Sequence, residues 1–400
     1  MRIRLAPLLL LVAPLVSAQT WTARAPMTTA RAGAAAAAYD GQLWVAGGET
    51  APGRVLGSVE RYDPETNAWT PGPSLREPRA DAALIAHDGA LLLIGGVDED
   101  GDPIDDVERY DPEDDRWESF ASLNAARRGL IAFSLPGYGP FAMGGLDGGG
   151  GFRSDCEVLD GDDWSDYSTW ALSSARAAMA VATVELDAYV SGGFTAFGPT
   201  GAVEQLRADG SQAVLPDLLP ARGSHAMAAV SAHLFVAGGR DAQDGLLTDA
   251  HRLDVNGGDW KPVGALPSPR ERMAAASLGG FVYLAGGNGP GGVLGELLVL
   301  DATTVDAEDE PLASSFSLGL PRPHPVRGNA TIAVQLDRPA AIDLALFDLA
   351  GRRVRTLATG EHSAGPSSIP LQTDGLAPGV YAARLESEGR FDVRLITVVR

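Results

Sequence analysis

The hydrophobic pattern is one of short apolar runs broken by tight polar turns. Residues 80–96, ADAALIAHDGALLLIGG, hold two apolar runs split by His87-Asp88-Gly89, the pattern of an antiparallel hairpin. Residues 34–48, AAAAAYDGQLWVAGG, repeat that hairpin with a first strand of small residues. The alanines invite a helix, but they also fit where innermost strands crowd around an axis, and the hairpin context decides for the strand. VERYDPETNAW at 59–69 adds a third strand, a Pro-Glu-Thr-Asn turn and the start of a fourth. VERYDPEDDRW at 107–117 repeats the phrase almost letter for letter. The unit is four antiparallel strands.

The unit recurs at a fixed period. Diglycines fall at Gly47-Gly48, Gly95-Gly96, Gly144-Gly145, Gly192-Gly193, Gly238-Gly239 and Gly286-Gly287, spaced by 46 to 49 residues. Sixteen or 17 residues before each stands an arginine: Arg31, Arg79, Arg127, Arg176, Arg222 and Arg270. Trp69, Trp117, Trp164 and Trp260 follow most of them. Markers coinciding at one period define a repeat protein, here with six units. The last unit lacks its Trp, while an unmatched Trp21 stands at the front. The expectation is that the N-terminal strand completes the sixth sheet and closes a ring, which removes exposed sheet edges. The fourth unit, LRADGSQAVLP, lacks both Tyr-Asp-Pro and Trp, so its outer strand is the least determined.

Over residues 19–301 this chain resembles the kelch family, in its Arg start, apolar run into Gly-Gly, Tyr-Asp-Pro turn and spaced Trp. The resemblance implies a six-bladed β-propeller. Residues 302–315 break the period and read as a polar linker. Residues 316–400 carry alternating runs, among them ATIAVQL, IDLALFDLAG, GVYAARLES and VRLITVV. They predict a small Ig-like β-sandwich, so the whole chain is all-β. LFDLAGRRVRTL, GLAPGVYAARL, the Pro-rich entry from Pro321 to Pro325 and the basic end at Arg400 are similar to the type A sorting domain of type IX secretion substrates. In that family the entry is closer to Tyr-Pro-Asn-Pro-Phe, and here His324-Pro325-Val326 takes its place. This second resemblance implies passage across the outer membrane of a Gram-negative, Bacteroidetes-like bacterium, with secretion machinery as a partner.

Residues 1–18, MRIRLAPLLLLVAPLVSA, join two arginines, an apolar run and a small-residue Val-Ser-Ala end, the form of a signal peptide. The expected mature chain begins at Gln19 and is exported. No later apolar run reaches the roughly 20 residues of a membrane span. Hydrophobic residues make up 45% of the chain, enough to bury a core, and 49 Gly with 27 Pro suit many short strands. Of the net charge of −21, residues 19–312 hold −25, which argues against nucleic acid and anionic membranes as partners. Cys156 is the single cysteine and replaces the Val of the third-strand phrase. It reads as a buried structural thiol.

A search for chemistry returns little. His87, His225, His233, His251, His324 and His362 form no ligand-spaced cluster, so a copper site of the galactose-oxidase kind is rejected and no cofactor is expected. No Gly-x-Ser-x-Gly elbow appears. Asp98, Asp100 and Asp102 alternate in VDEDGDPIDD; the loop lacks an EF-hand's order and terminal Glu, and reads as solvated rather than calcium-binding. Gly148 to Gly151 reads as a connector.

The six arginines remain. Each begins an innermost strand, so they could ring one channel mouth and bind carboxylates. In proteins of similar kelch architecture this face and the loops after Gly-Gly often bind the partner. Alternatively each pairs with the recurring Glu60, Glu108, Glu157 or Glu204 and holds the sheets in register. Two functions stay open. One is a non-catalytic module binding a protein or glycan; the other is a carbohydrate-active enzyme resembling the kelch mutarotases that act on sialic acid.

Overall fold

The computed structural model describes residues 19–303, 317–322, 326–336, 338–347, 352–363, 365–387 and 390–398. The leader, most of the linker, His324-Pro325 and Arg400 lie outside them. The chain divides between residues 304 and 305 into two compact units.

The described residues of the first unit form six four-stranded antiparallel sheets and two short two-stranded ones, Phe194–Thr195 with Gly198–Pro199 and Asn288–Gly289 with Gly292–Val293. Sheet 1 takes Ala35–Tyr39, Gln42–Ala46, Val59–Asp63 and Ala68–Pro71. Sheets 2 to 5 repeat this order, with innermost strands Ala83–His87, Ile131–Leu135, Ala180–Val184 and Ala226–Val230. Sheet 6 takes Ala274–Leu278, Phe281–Ala285 and Leu297–Asp301, and its outermost strand is Thr22–Arg24 from the other end of the unit. Thr22 faces Val299 and Arg24 faces Leu297, so the early strand completes the last sheet. The poorly marked fourth unit also forms its outer strand, Gln212–Leu215, without Trp.

Alternation explains the packing. Side chains from facing sheets interleave into cores such as Trp44, Leu91, Leu93, Tyr110 and Trp117 between sheets 1 and 2. The innermost strands touch in circular order. Ala36, Ala38, Ala86 and Ala276 line a cavity of about 240 Å³ on the axis, which larger residues would fill. Outer tryptophans tie sheets 1, 2 and 5 to the chain entering them: Trp69 Nε1 donates to the Ala25 carbonyl (2.7 Å), Trp117 Nε1 to that of Pro73 (3.1 Å) and Trp260 Nε1 to that of Pro216 (2.8 Å).

Two backbone hydrogen-bond rings join the sheets near the axis. The second glycine of each pair donates to the carbonyl of the next sheet's arginine, from Gly48 to Arg79 (2.9 Å) around to Gly287 to Arg31 (2.9 Å). Two residues past each arginine the second ring runs Gly33, Arg272, Ser224, Ala178, Gly129, Asp81 and back to Gly33, each N–H donating to the next carbonyl at 2.7 to 2.9 Å. The first glycine of each pair must be bare. Its φ is positive, and at Gly286 a Cβ would stand 2.2 Å from the Arg31 carbonyl oxygen.

The second unit holds a three-stranded sheet (Ser317–Arg322, Asn329–Leu336, Gly365–Gln372) and a four-stranded one (Arg353–His362, Ala340–Phe347, Gly379–Ser387, Arg390–Val398). Both feed one core containing Ile332, Val334, Leu344, Leu371, Leu385 and Ile396. Among the described residues of either unit, no helix is long and apolar enough to cross a membrane.

Candidate functional site: the channel mouth

The arginines come first because the sequence singles them out. Arg31, Arg79, Arg127, Arg176, Arg222 and Arg270 are at most 1% exposed. Arg79 Nη2 donates to Glu108 (2.8 Å) and Asp106 (2.6 Å), while Nη1 donates to the Gly95 and Asp106 carbonyls. Arg31 pairs with Glu60 (2.7 Å), Arg127 with Glu157 (2.5 Å) and Arg176 with Glu204 (2.5 Å). Sheets 5 and 6 carry His251 and Leu298 at the glutamate position. There Arg222 turns to Asp249 (2.6 Å) and Arg270 to Glu296 (2.6 Å). Each glutamate is itself a hub: Glu108 also accepts the backbone N–H groups of Arg76 and Glu77, which fixes the loop entering its sheet. Burial lowers the Arg31 pKa against the opposing pull of Glu60. The guanidinium groups stand behind the mouth, in the walls between loop and sheet, and none of them lines it.

What does line the mouth follows each arginine by one to three residues. A cavity of about 380 Å³ opens there, walled by the inner ring and its neighbours. The ring residues adopt left-handed backbone, including the non-glycine Asp81, Ala178, Ser224 and Arg272. Around this rim the sheets, so alike elsewhere, differ. One residue past the arginine stand Ala32, Ala80, Arg128, Ala177, Gly223 and Glu271. Just past the diglycine stand Glu49, Val97, Leu146, Phe194, Arg240 and Asn288.

The rim charges are mostly committed. Arg272 of sheet 6 reaches Glu49 of sheet 1 and Asp81 of sheet 2, the latter at 2.9 Å. Burial pulls its pKa down, but Asp81 and Glu49 outweigh that and hold it above the ordinary value. Arg240 Nε donates to Glu271 at 2.9 Å, and that hydrogen bond raises the Arg240 pKa. The three pairs strap sheet 6 to sheets 5, 1 and 2. Arg128 differs. It is half-buried at the cavity wall and, among the described residues, no carboxylate lies within ion-pairing distance of its guanidinium. The sector beside it is apolar, with Leu130, Leu146, Ala177 and Met179. His225, at the wall in sheet 5, is buried, and its Nε2 pairs with Ser191 Oγ at 2.8 Å. Burial, with Arg222 nearby, pushes its pKa down to about 3.

Sequence reasoning missed Arg128 because it breaks the repeat instead of obeying it. The signal was present: Arg127-Arg128 is the one doubled arginine among the six starts. The other flagged groups hold scaffold. Asp98 Oδ1 accepts the N–H groups of Asp100 and Asp102. Asp147 and Asp241 close matching turns in sheets 3 and 5, the former with glycines alone. Cys156 is buried, and burial pushes its thiol pKa up, away from reactivity. The acidic trio Asp111, Asp114 and Glu118 lies at the surface with Arg116 on two of its members.

Comparisons with known proteins agree with this architecture. Residues 30–76 and 78–124 match the Kelch motif. The chain is similar to the tRNA wybutosine-synthesizing protein 2/3/4 of Arabidopsis thaliana, 38% identical over 84 residues, and to Alpha-scruin of Limulus polyphemus, 34% identical over 71 residues. Those matches cover 20% and 18% of this chain and 8% of each relative's length. The solved structure of YjhT superposes with a TM-score of 0.60 at 17% identity, covering 69% of this chain and 96% of that one. At that identity the likeness is one of fold.

Proposed function

We propose that this kelch-repeat chain is an exported six-bladed propeller that binds a protein or glycan ligand at its channel mouth without catalysis, while the C-terminal unit serves as a secretion domain. The observation that carries the binding reading is the contrast between a uniform scaffold and a varied rim. The wall position two residues past each arginine holds Gly33, Asp81, Gly129, Ala178, Ser224 and Arg272 in turn, and such variety on a rigid frame suits recognition. The carboxylate and the histidine of the cavity wall, Asp81 and His225, already hold partners inside the protein. Glu49, Asp81 and Glu271 are held in ion pairs by Arg272 and Arg240. His225, with its pKa pushed down to about 3, is a weak base at neutral pH. In support of the secretion role, the GVYAARL end of the GLAPGVYAARL stretch lies in the strand Gly379–Ser387.

The test uses the full chain on arrays of glycans and purified surface proteins. Leu146→Arg in the mouth is expected to remove the captured ligand, while Asp40→Arg, in a hairpin turn of sheet 1, leaves capture unchanged. Equal capture by both variants sinks the mouth reading. Fractionation of the native host, with N-terminal sequencing, checks export: the reading expects an extracellular or surface chain that begins at Gln19.

A further inference from the structure

We propose that Arg128 is the anion-holding group of the mouth, and that the cavity takes one small monocarboxylate with an apolar body; this rests on the mouth being the binding site. Three cations face the rim, and two are already neutralised by Glu49, Asp81 and Glu271. Arg128 alone among these three has no carboxylate partner among the described residues. Arg128 is half-buried, and a guanidinium offers a planar fork of donors matched to a carboxylate. Where Ala32, Ala80 and Ala177 pack as buried alanines in sheets 1, 2 and 4, sheet 3 places this charge. The scaffold therefore does not need an arginine at that position.

Size and polarity narrow the ligand. A volume of about 380 Å³ sits at the small end of ligand cavities. The flank next to Arg128 is Leu130, Leu146, Ala177 and Met179, so the body it covers is apolar. A single uncommitted cation among the three at the rim, within a stretch of chain of net −25, favours a monoanion over phosphates and polyanions, which the surrounding field repels.

The experiment is calorimetric titration of the full chain with phenylacetate, phenylacetamide, glucuronate and inorganic phosphate. Phenylacetate is expected to saturate one site, with the uncharged amide at least tenfold weaker and phosphate silent. Arg128→Ala is expected to weaken phenylacetate at least tenfold while the thermal midpoint stays at the wild-type value. Amide binding equal to that of the acid, or unchanged binding in Arg128→Ala, overturns the proposal. Glucuronate tighter than phenylacetate overturns the apolar body. A macromolecular ligand lost in Leu146→Arg but kept in Arg128→Ala overturns the anion site while leaving the mouth reading intact.

Discussion

Every donor of Arg79 is used inside the protein: Nε on the Glu77 carbonyl, and the other four on Gly95, Asp106 and Glu108. Removing it strands a buried carboxylate, so Arg79→Ala is expected to cost about 3–5 kcal/mol and to lower the thermal midpoint sharply. Arg128→Ala should leave the midpoint untouched, and differential scanning calorimetry of both variants checks the contrast. The recurring Arg and Glu were legible because their spacing repeats. Which way the guanidinium groups face was not, since the sheet and its entering loop are brought together only by folding. His225 adds a pH test. Its neutral form is buried with a folded pKa of about 3, against about 6.5 unfolded. The unfolded chain therefore binds the extra proton between these values, and stability falls as pH drops through that window. Stability curves from pH 7 to 4 should be flatter in His225→Gln by up to about one proton's slope, roughly 1.4 kcal/mol per pH unit.

Elements were read well wherever two strands share a polar turn. His87-Asp88-Gly89 does sit at the turn of a hairpin, with Asp88 and Gly89 at positive φ. The diglycines were legible as strand ends, but their partner was not: a sheet away, the next arginine's carbonyl presses on the first glycine and receives the second one's N–H. That dual role separates two glycine substitutions. Gly89→Ala meets open space and bears only left-handed strain, about 1–2 kcal/mol. Gly286→Ala adds a Cβ 2.2 Å from the Arg31 oxygen and should cost clearly more. Urea titration of the two variants orders them; equal midpoints would dismiss the docking role. The small hairpin of Phe194–Thr195 with Gly198–Pro199 escaped the sequence, because two-residue strands show no alternation. Its neighbour Phe197 is fully exposed.

At the scale of the molecule, the unmatched Trp21 was the clue that pointed to strand exchange between the two ends of the unit. Residues 22–24 do complete sheet 6, and the carbonyl of Gln19 packs so closely on Gly264 that a Cβ there would lie 1.8 Å away. Deleting residues 19–24 should lower the midpoint and expose the Leu297–Asp301 edge, with self-association visible by light scattering. A shortened chain that stays monomeric with its midpoint intact would deny the strand a closing role. Because the chain divides into two units with separate cores, the described part ending at residue 303 is expected to melt without its C-terminal partner as it does within the whole.

The shared sheet also sets a timetable. Residues 22–24 are made before the other strands of their unit, yet their partner strand is Leu297–Asp301, so they wait unpaired until that strand has been synthesised. Five sheets can be laid down in turn, but the sixth joins the first and the last strand of the unit. A ribosome-bound chain stopped at residue 290 should therefore stay open to proteases around residues 19–24.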